Sequence, residues 1–249
     1  MNNPPRRGYD TNVVSIRGLS VRILVEGDGD PLLLLNGLTR PLESWGPFRQ
    51  ALSGRRVVTI DAPGVGGSPR PLLPLSISAL ANIAVTVLDE LDLESVDVLG
   101  FSYGGAVAQE LAAHNPARVS HLVLASTSCG IGAVPGSRDA LAAFRAPSGA
   151  DSWPRTDAIG ALWHSLAISS WSSIPFLGAI RAPTLVVCGD HDRVVPPANS
   201  RLLARRIPGA QLVLLSAGHD LQRLGPAAAL AGAVELFLTA GHVLDPLSS

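Results

Sequence analysis

Three short stretches carry residue types that do chemistry together. Gly100-Phe101-Ser102-Tyr103-Gly104-Gly105 holds a serine flanked by glycines, Gly189-Asp190-His191-Asp192 offers carboxylates, and Ser216-Ala217-Gly218-His219-Asp220 offers an imidazole. A serine hydroxyl is a weak nucleophile until a base removes its proton, and the base in turn needs a group to orient it. Serine, histidine and aspartate on three separate loops are the parts of an acyl-transfer centre.

Composition alone would place a G-x-S-x-G pentad in about one chain in ten, so its setting decides its meaning. Here the apolar run Val96–Leu99 precedes it and a helical pattern over Ala106–His114 follows. That is the strand–turn–helix setting in which a serine is held on a sharp turn, and glycines two positions to either side avoid collisions with neighbouring backbone. Ser102 is therefore the expected nucleophile. The bland reading is a plain Gly-rich turn.

Of the six histidines, His219 comes just after a late strand (Leu212–Leu215), at a carboxyl end where ligand-facing loops emerge in α/β sheets, and is the expected base. His114 ends a helix, His121 begins a strand, His164 falls in an insertion, His191 in the acid loop and His242 in the tail. The acid should lie between Ser102 and His219 in chain order. Asp190 and Asp192 compete; Asp192, further out along its loop, is the expected acid, and Asp190 the turn-stabilising residue. No carboxylate lies between His121 and Gly136 to serve from the preceding strand.

The oxyanion of such a reaction needs donors. The backbone N–H of Tyr103, next after the nucleophile, is one expectation. The backbone N–H of Leu38, in the loop Asn36-Gly37-Leu38-Thr39, is the other, with the glycine allowing close approach.

The elements that must hold these loops follow from periodicity. Apolar runs at Val13–Ile16, Val21–Val25, Leu32–Leu35, Val57–Ile60, Val96–Leu99, His121–Ala125, Leu185–Cys188 and Leu212–Leu215 read as strands. Helical spacing marks Leu75–Leu91, with Ser76 or Ser78 as cap, then Ala106–His114, Ala198–Arg206 and Ala227–Leu238. Strands alternating with helices predict an α/β fold, mostly parallel, with helices on both faces of the sheet.

Residues 130–178 break the rhythm. They show no clear strand and contain Phe144, Trp153, Trp163, Trp171 and Phe176. Lying between nucleophile and acid, this stretch reads as a lid inserted into a core of residues 1–129 and 179–249, with Trp153, Trp163 and Trp171 shaping an apolar substrate pocket. The competing reading is a helical excursion that packs its own aromatics.

Bulk properties narrow the partners. A chain of 249 residues with 47% hydrophobic and 16% charged residues has the material for one large core. Its net charge of −1 gives no electrostatic reason to bind nucleic acid, and all 19 basic residues are scattered arginines. Two cysteines, Cys129 and Cys188, are too few for a disulfide framework. No metal motif, P-loop or dinucleotide fingerprint stands out, so no cofactor is expected. With neither a signal segment nor an apolar run long enough for a transmembrane segment, the expected location is cytoplasmic. The oligomeric state is not legible.

Together these motifs resemble the α/β-hydrolase superfamily across about residues 13–238. More narrowly, several stretches are similar to intracellular medium-chain-length poly(3-hydroxyalkanoate) depolymerases. They are Leu34-Leu35-Asn36-Gly37, Asp61-Ala62-Pro63-Gly64-Val65-Gly66-Gly67-Ser68, Ser102-Tyr103-Gly104-Gly105-Ala106, Trp171-Ser172-Ser173-Ile174, Pro183-Thr184-Leu185 and Arg206-Ile207-Pro208. Tyr103 stands where that group leads one to expect Trp, and Asn36 where most relatives have His. The resemblance implies a serine esterase acting on a small-molecule or polymeric ester, with an apolar acyl site under a lid and Ser102, Asp192 and His219 as its triad. A C–C bond hydrolase or a perhydrolase would use the same triad, and a catalytically silent ligand-binding protein is the non-enzymatic alternative. Epoxide hydrolases and haloalkane dehalogenases put aspartate where this chain has Ser102.

Overall fold

The computed structural model describes residues 11–145 and 157–240. Eight strands form one sheet: β1 (Thr11–Ile16), β2 (Leu19–Glu26), β3 (Asp30–Leu35), β4 (Arg55–Ile60), β5 (Val96–Phe101), β6 (Val119–Ala125), β7 (Thr184–Gly189) and β8 (Gln211–Leu215). Their spatial order is β1-β2-β4-β3-β5-β6-β7-β8. β1 and β2 pair antiparallel, as do β2 and β4, and every later pairing is parallel. The Arg17-Gly18 turn joins the first two strands through positive φ at both residues, 48° and 80°.

Parallel strands need crossovers, and these supply the helices that cover the sheet. α1 (Gly46–Ala51) and α7 (Pro226–Ala240) pack on one face; α2 (Ile77–Glu90), α3 (Tyr103–His114) and α6 (Pro197–Arg206) pack on the other. The central strands are apolar on both sides because both faces are buried. In β3, Leu33 and Leu35 face the α2–α3 core while Leu32 and Leu34 face Trp45, Phe48 and α7. Cys129 and Cys188 are free thiols buried in the structure. No helix among the described residues is long and apolar enough to cross a membrane.

Local chemistry sets the boundaries. Ser76 caps α2 by accepting a hydrogen bond from the Ala79 amide at 3.1 Å. Ser78, the other capping candidate, instead donates to Glu110 Oε1. α3 starts at Tyr103, three residues earlier than its periodicity suggests, because Gly104 and Gly105 contribute no apolar side chain to the pattern. The short α1 escapes sequence reading for a similar reason: it opens Gly46-Pro47 and spans only six residues.

The insertion contains α4 (Arg138–Arg145) and α5 (Ala158–Ser169). An isolated antiparallel bridge between Gly130 and Ser172 joins its two ends. α5 lies against the loop that follows β4 so closely that a Cβ on Gly160 would come within 2.7 Å of the Gly64 carbonyl oxygen.

Candidate active site

Ser102 joins β5 to α3 with φ 51° and ψ −115°, a region that L side chains seldom adopt. Such a residue costs about 1–3 kcal/mol and persists only where its surroundings impose it. Here they do. The Ser102 amide donates to Ala125 O at 2.9 Å, and Thr127 Oγ1 donates to Ser102 O at 2.7 Å. The flanking glycines leave no space for a side chain: a Cβ on Gly104 would lie 2.1 Å from the Leu35 carbonyl oxygen, and one on Gly105 2.4 Å from Thr127 Oγ1. The turn is thus pressed between β3 and the loop after β6.

His219, in the loop after β8, places Nε2 3.1 Å from Ser102 Oγ and Nδ1 2.8 Å from Asp192 Oδ2. A carboxylate only accepts, so Nδ1 is the protonated nitrogen and Nε2 is left to accept from the serine hydroxyl. Asp192 is buried and its other oxygen, Oδ1, accepts from the amides of Val194 (2.9 Å) and Val195 (2.8 Å). Both oxygens of this carboxylate therefore have donors, which fixes its orientation. Asp190 is exposed; its Oδ1 accepts from the Ala217 amide at 3.2 Å and pairs with His191 Nδ1 at 2.5 Å. It fastens the acid loop to the histidine loop without reaching His219.

The remaining described histidines have other partners. His114 bonds the Glu110 carbonyl, His121 bonds Asp97, and His164 bonds the Pro63 carbonyl. His242 lies outside the described residues.

The loop after β3 runs beside Ser102. A Cβ on Gly37 would sit 3.0 Å from the Phe101 ring and 3.6 Å from Ser102 Cβ. Asn36 holds this loop: Oδ1 accepts from the Gly37 amide and Gln222 Nε2, both at 2.9 Å, while Nδ2 donates to Pro41 O and Ser44 Oγ. Leu38 follows in the same loop, half-buried. Tyr103 opens α3, where the first N–H groups of a helix have no partner within it.

A cavity of about 40 Å³ lies beside Gly37, Tyr103 and Gly104, walled mainly by apolar side chains such as Ile60, Leu80 and Val107. His164 of α5 completes the wall.

Neither Trp163 nor Trp171 lines it. Trp171 packs in the α2–α3 core, its indole N–H donating to buried Glu110 Oε2 at 2.8 Å. Trp163 carries the Arg70 guanidinium 5.1 Å from its ring centre. Trp153 lies outside the described residues. Trp163 and His164 are neighbours on a helix, about 100° apart, and it is His164 that faces the cavity. Sequence reading chose the larger aromatic; nothing local marks His164, whose Pro63 partner is 101 residues away.

Among the described residues no group of three or more His, Cys, Asp or Glu side chains is arranged to hold a metal ion. What meets here is a serine hydroxyl, an imidazole and a carboxylate in a chain of hydrogen bonds.

The family model described as the alpha/beta hydrolase fold matches residues 30–148 and 152–226. The chain is 36% identical over 219 residues to a poly(3-hydroxyalkanoate) depolymerase of Ectopseudomonas oleovorans, covering 76% of this chain and 77% of that protein. It is 28% identical over 259 aligned positions to a 2-hydroxymuconate semialdehyde hydrolase of Pseudomonas sp. (strain CF600), covering 89% of this chain and 92% of the relative. Among solved structures, the enol-lactonase from Burkholderia xenovorans LB400 superposes with a TM-score of 0.81 at 27% identity, over 92% of this chain and all of that one. With the sheet order, the strained serine turn and these matches in agreement, the chain belongs to the α/β-hydrolase family.

Proposed function

We propose that this protein is a serine hydrolase that cleaves carboxylic esters of apolar acyl groups through an acyl-enzyme. The observation that carries the reading is the continuous relay Ser102 Oγ–His219 Nε2 at 3.1 Å and His219 Nδ1–Asp192 Oδ2 at 2.8 Å, beside an apolar cavity. Ser102 attacks the ester carbonyl and His219 takes its proton. The resulting oxyanion is held by the N–H groups of Tyr103 and Leu38. As the tetrahedral intermediate collapses, His219 protonates the departing alkoxide. A water molecule, deprotonated by the same imidazole, then releases the acid and restores Ser102. Asp192 keeps the imidazole in the tautomer that accepts from serine and offsets its charge when protonated.

Residues 130–178 act in this reading as a lid over the carboxyl end of the sheet, with His164 reaching the cavity wall. The similarity to a poly(3-hydroxyalkanoate) depolymerase supports ester hydrolysis and makes a polymeric ester a candidate substrate.

The similarity to a 2-hydroxymuconate semialdehyde hydrolase favours a second reading, in which the same relay cleaves a C–C bond beside a carbonyl. A catalytically silent binder would have no need of the relay's alignment. Turnover of p-nitrophenyl esters over a ladder of acyl lengths tests the choice. The esterase reading expects hydrolysis, reduced by about 10³-fold or more in Ser102→Ala. Absence of turnover with every ester would reject it in favour of the C–C hydrolase.

A further inference from the structure

Phe101, the last residue of β5, directly precedes Ser102 in the chain. Strand alternation turns Leu99 and Phe101 toward the α1–α7 face of the sheet, where Phe101 is fully buried. Three neighbours hold its ring. Trp45 stands nearly perpendicular, with ring centres 6.3 Å apart and planes at 78°. Gly37 lies so close that a Cβ there would sit 3.0 and 3.1 Å from Phe101 Cδ1 and Cε1. The third neighbour is the imidazole of His219, 5.3 Å away between ring centres and tilted by 42°.

Both nitrogens of that imidazole are engaged, Nδ1 by Asp192 and Nε2 by Ser102. The contact with Phe101 therefore adds no hydrogen bond; it is ring against ring. Its strength depends on the charge of the imidazole. When His219 Nε2 takes the proton of Ser102 Oγ, the imidazole becomes a cation, and a cation within about 6 Å of an aromatic centre is attracted by the negative face of that ring. Neutral imidazole gains much less. An interaction stronger in the charged state than in the resting one speeds the reaction rather than merely tightening the fold. With His219 and Phe101 at 6% and 0% exposure, little water screens the attraction. An aliphatic side chain would fill the same volume and supply no such face.

We propose that Phe101 is a positioning residue for the base: its ring supports the His219 imidazole and favours the imidazolium that forms as Ser102 loses its proton. The proposal rests on the esterase reading in taking Ser102 and His219 as nucleophile and base. Phe101 does not line the cavity and acts through His219.

The test replaces Phe101 by phenylalanines carrying one, two and three ring fluorines, which keep the shape of the ring and weaken its negative face stepwise. Two rates are read at one fixed pH: phosphonylation of Ser102 by a fluorophosphonate, and hydrolysis of a p-nitrophenyl ester. Both are expected to fall with each added fluorine, by about threefold to tenfold at the trifluorinated ring. Phe101→Leu is expected to fall at least as far. Packing alone predicts rates indifferent to fluorine. Rates that stay level or rise across the series overturn the proposal whatever Phe101→Leu does, so a leucine variant that folds poorly does not blur the result. If phosphonylation follows the fluorine count and no ester is hydrolysed, the esterase reading fails and the role of Phe101 stands. If esters are hydrolysed at rates indifferent to fluorine, the reverse follows. A parent protein that is neither phosphonylated nor active overturns both.

Discussion

Arg40 and Asp220, 180 residues apart in the chain, are joined by a 2.8 Å ion pair between Nη2 and Oδ2 that links the loop after β3 to the loop carrying His219. Gln222 and Asn36 make a second link between the same loops at 2.9 Å. The loop that carries Leu38 is thus fastened at two points to the loop that carries His219. Both charges of the pair are mostly shielded, with 10% and 15% side-chain exposure, so the link is stronger than an exposed pair would be.

Replacing Arg40 by Met keeps an apolar stem and removes the link. Misplacement by an ångström can cost up to about 10²-fold in rate, so kcat should fall about tenfold with a smaller change in KM. Steady-state kinetics on a p-nitrophenyl ester reads the split. A pure rise in KM would show that Arg40 serves binding alone.

Asp192→Asn preserves size and can still meet the amides of Val194 and Val195, but it offers His219 Nδ1 no charged acceptor. The imidazole then loses its assigned tautomer, and kcat should drop by about 10³–10⁴-fold, by analogy with the same change in a serine protease triad. Asp190→Asn, at the exposed aspartate, should have a much smaller effect. The two variants assayed side by side decide which carboxylate is the acid.

Gly104→Ala tests the fold. Its Cβ would meet the Leu35 carbonyl oxygen at 2.1 Å, a backbone atom of a central strand that has no freedom to withdraw. A loss of about 3 kcal/mol or more is expected. At roughly 2–4 °C per kcal/mol for a chain of this size, that lowers the melting temperature by about 6 °C or more.

Stability should also carry the mark of His164. Burial lowers its pKa below the ordinary value. Below about pH 6.5 the unfolded chain takes up a proton at this imidazole that the folded chain refuses, so its contribution is present above that pH and lost as pH falls. Melting temperatures at about pH 7.5 and 5.5 should therefore differ less in His164→Gln than in the parent protein. An equal difference in both would place the protonation penalty elsewhere.

The sheet was readable because its central strands are buried on both faces and appear as unbroken apolar runs, as in Leu32–Leu35 and Leu185–Cys188. The relay was readable because Ser102, Asp192 and His219 each follow such a run in a loop at the strand's carboxyl end. What escaped reading depends on contacts across the chain. The cavity wall is completed by His164 through Pro63, and the two site loops are joined by Arg40 and Asp220, pairings with no local signature. Size alone suggested Trp163 and Trp171 as pocket residues, whereas the indole of Trp171 bonds a buried carboxylate and Trp163 stacks under a guanidinium, contacts with no local signature.

The most direct test of the account is mass spectrometry of the protein after treatment with a fluorophosphonate, which captures a serine only when a base activates it. A single covalent adduct on Ser102, absent in Ser102→Ala and formed far more slowly in His219→Ala, is the predicted result. A protein that stays unlabelled, or one labelled equally well after either substitution, would contradict the assignment of Ser102 as an activated nucleophile.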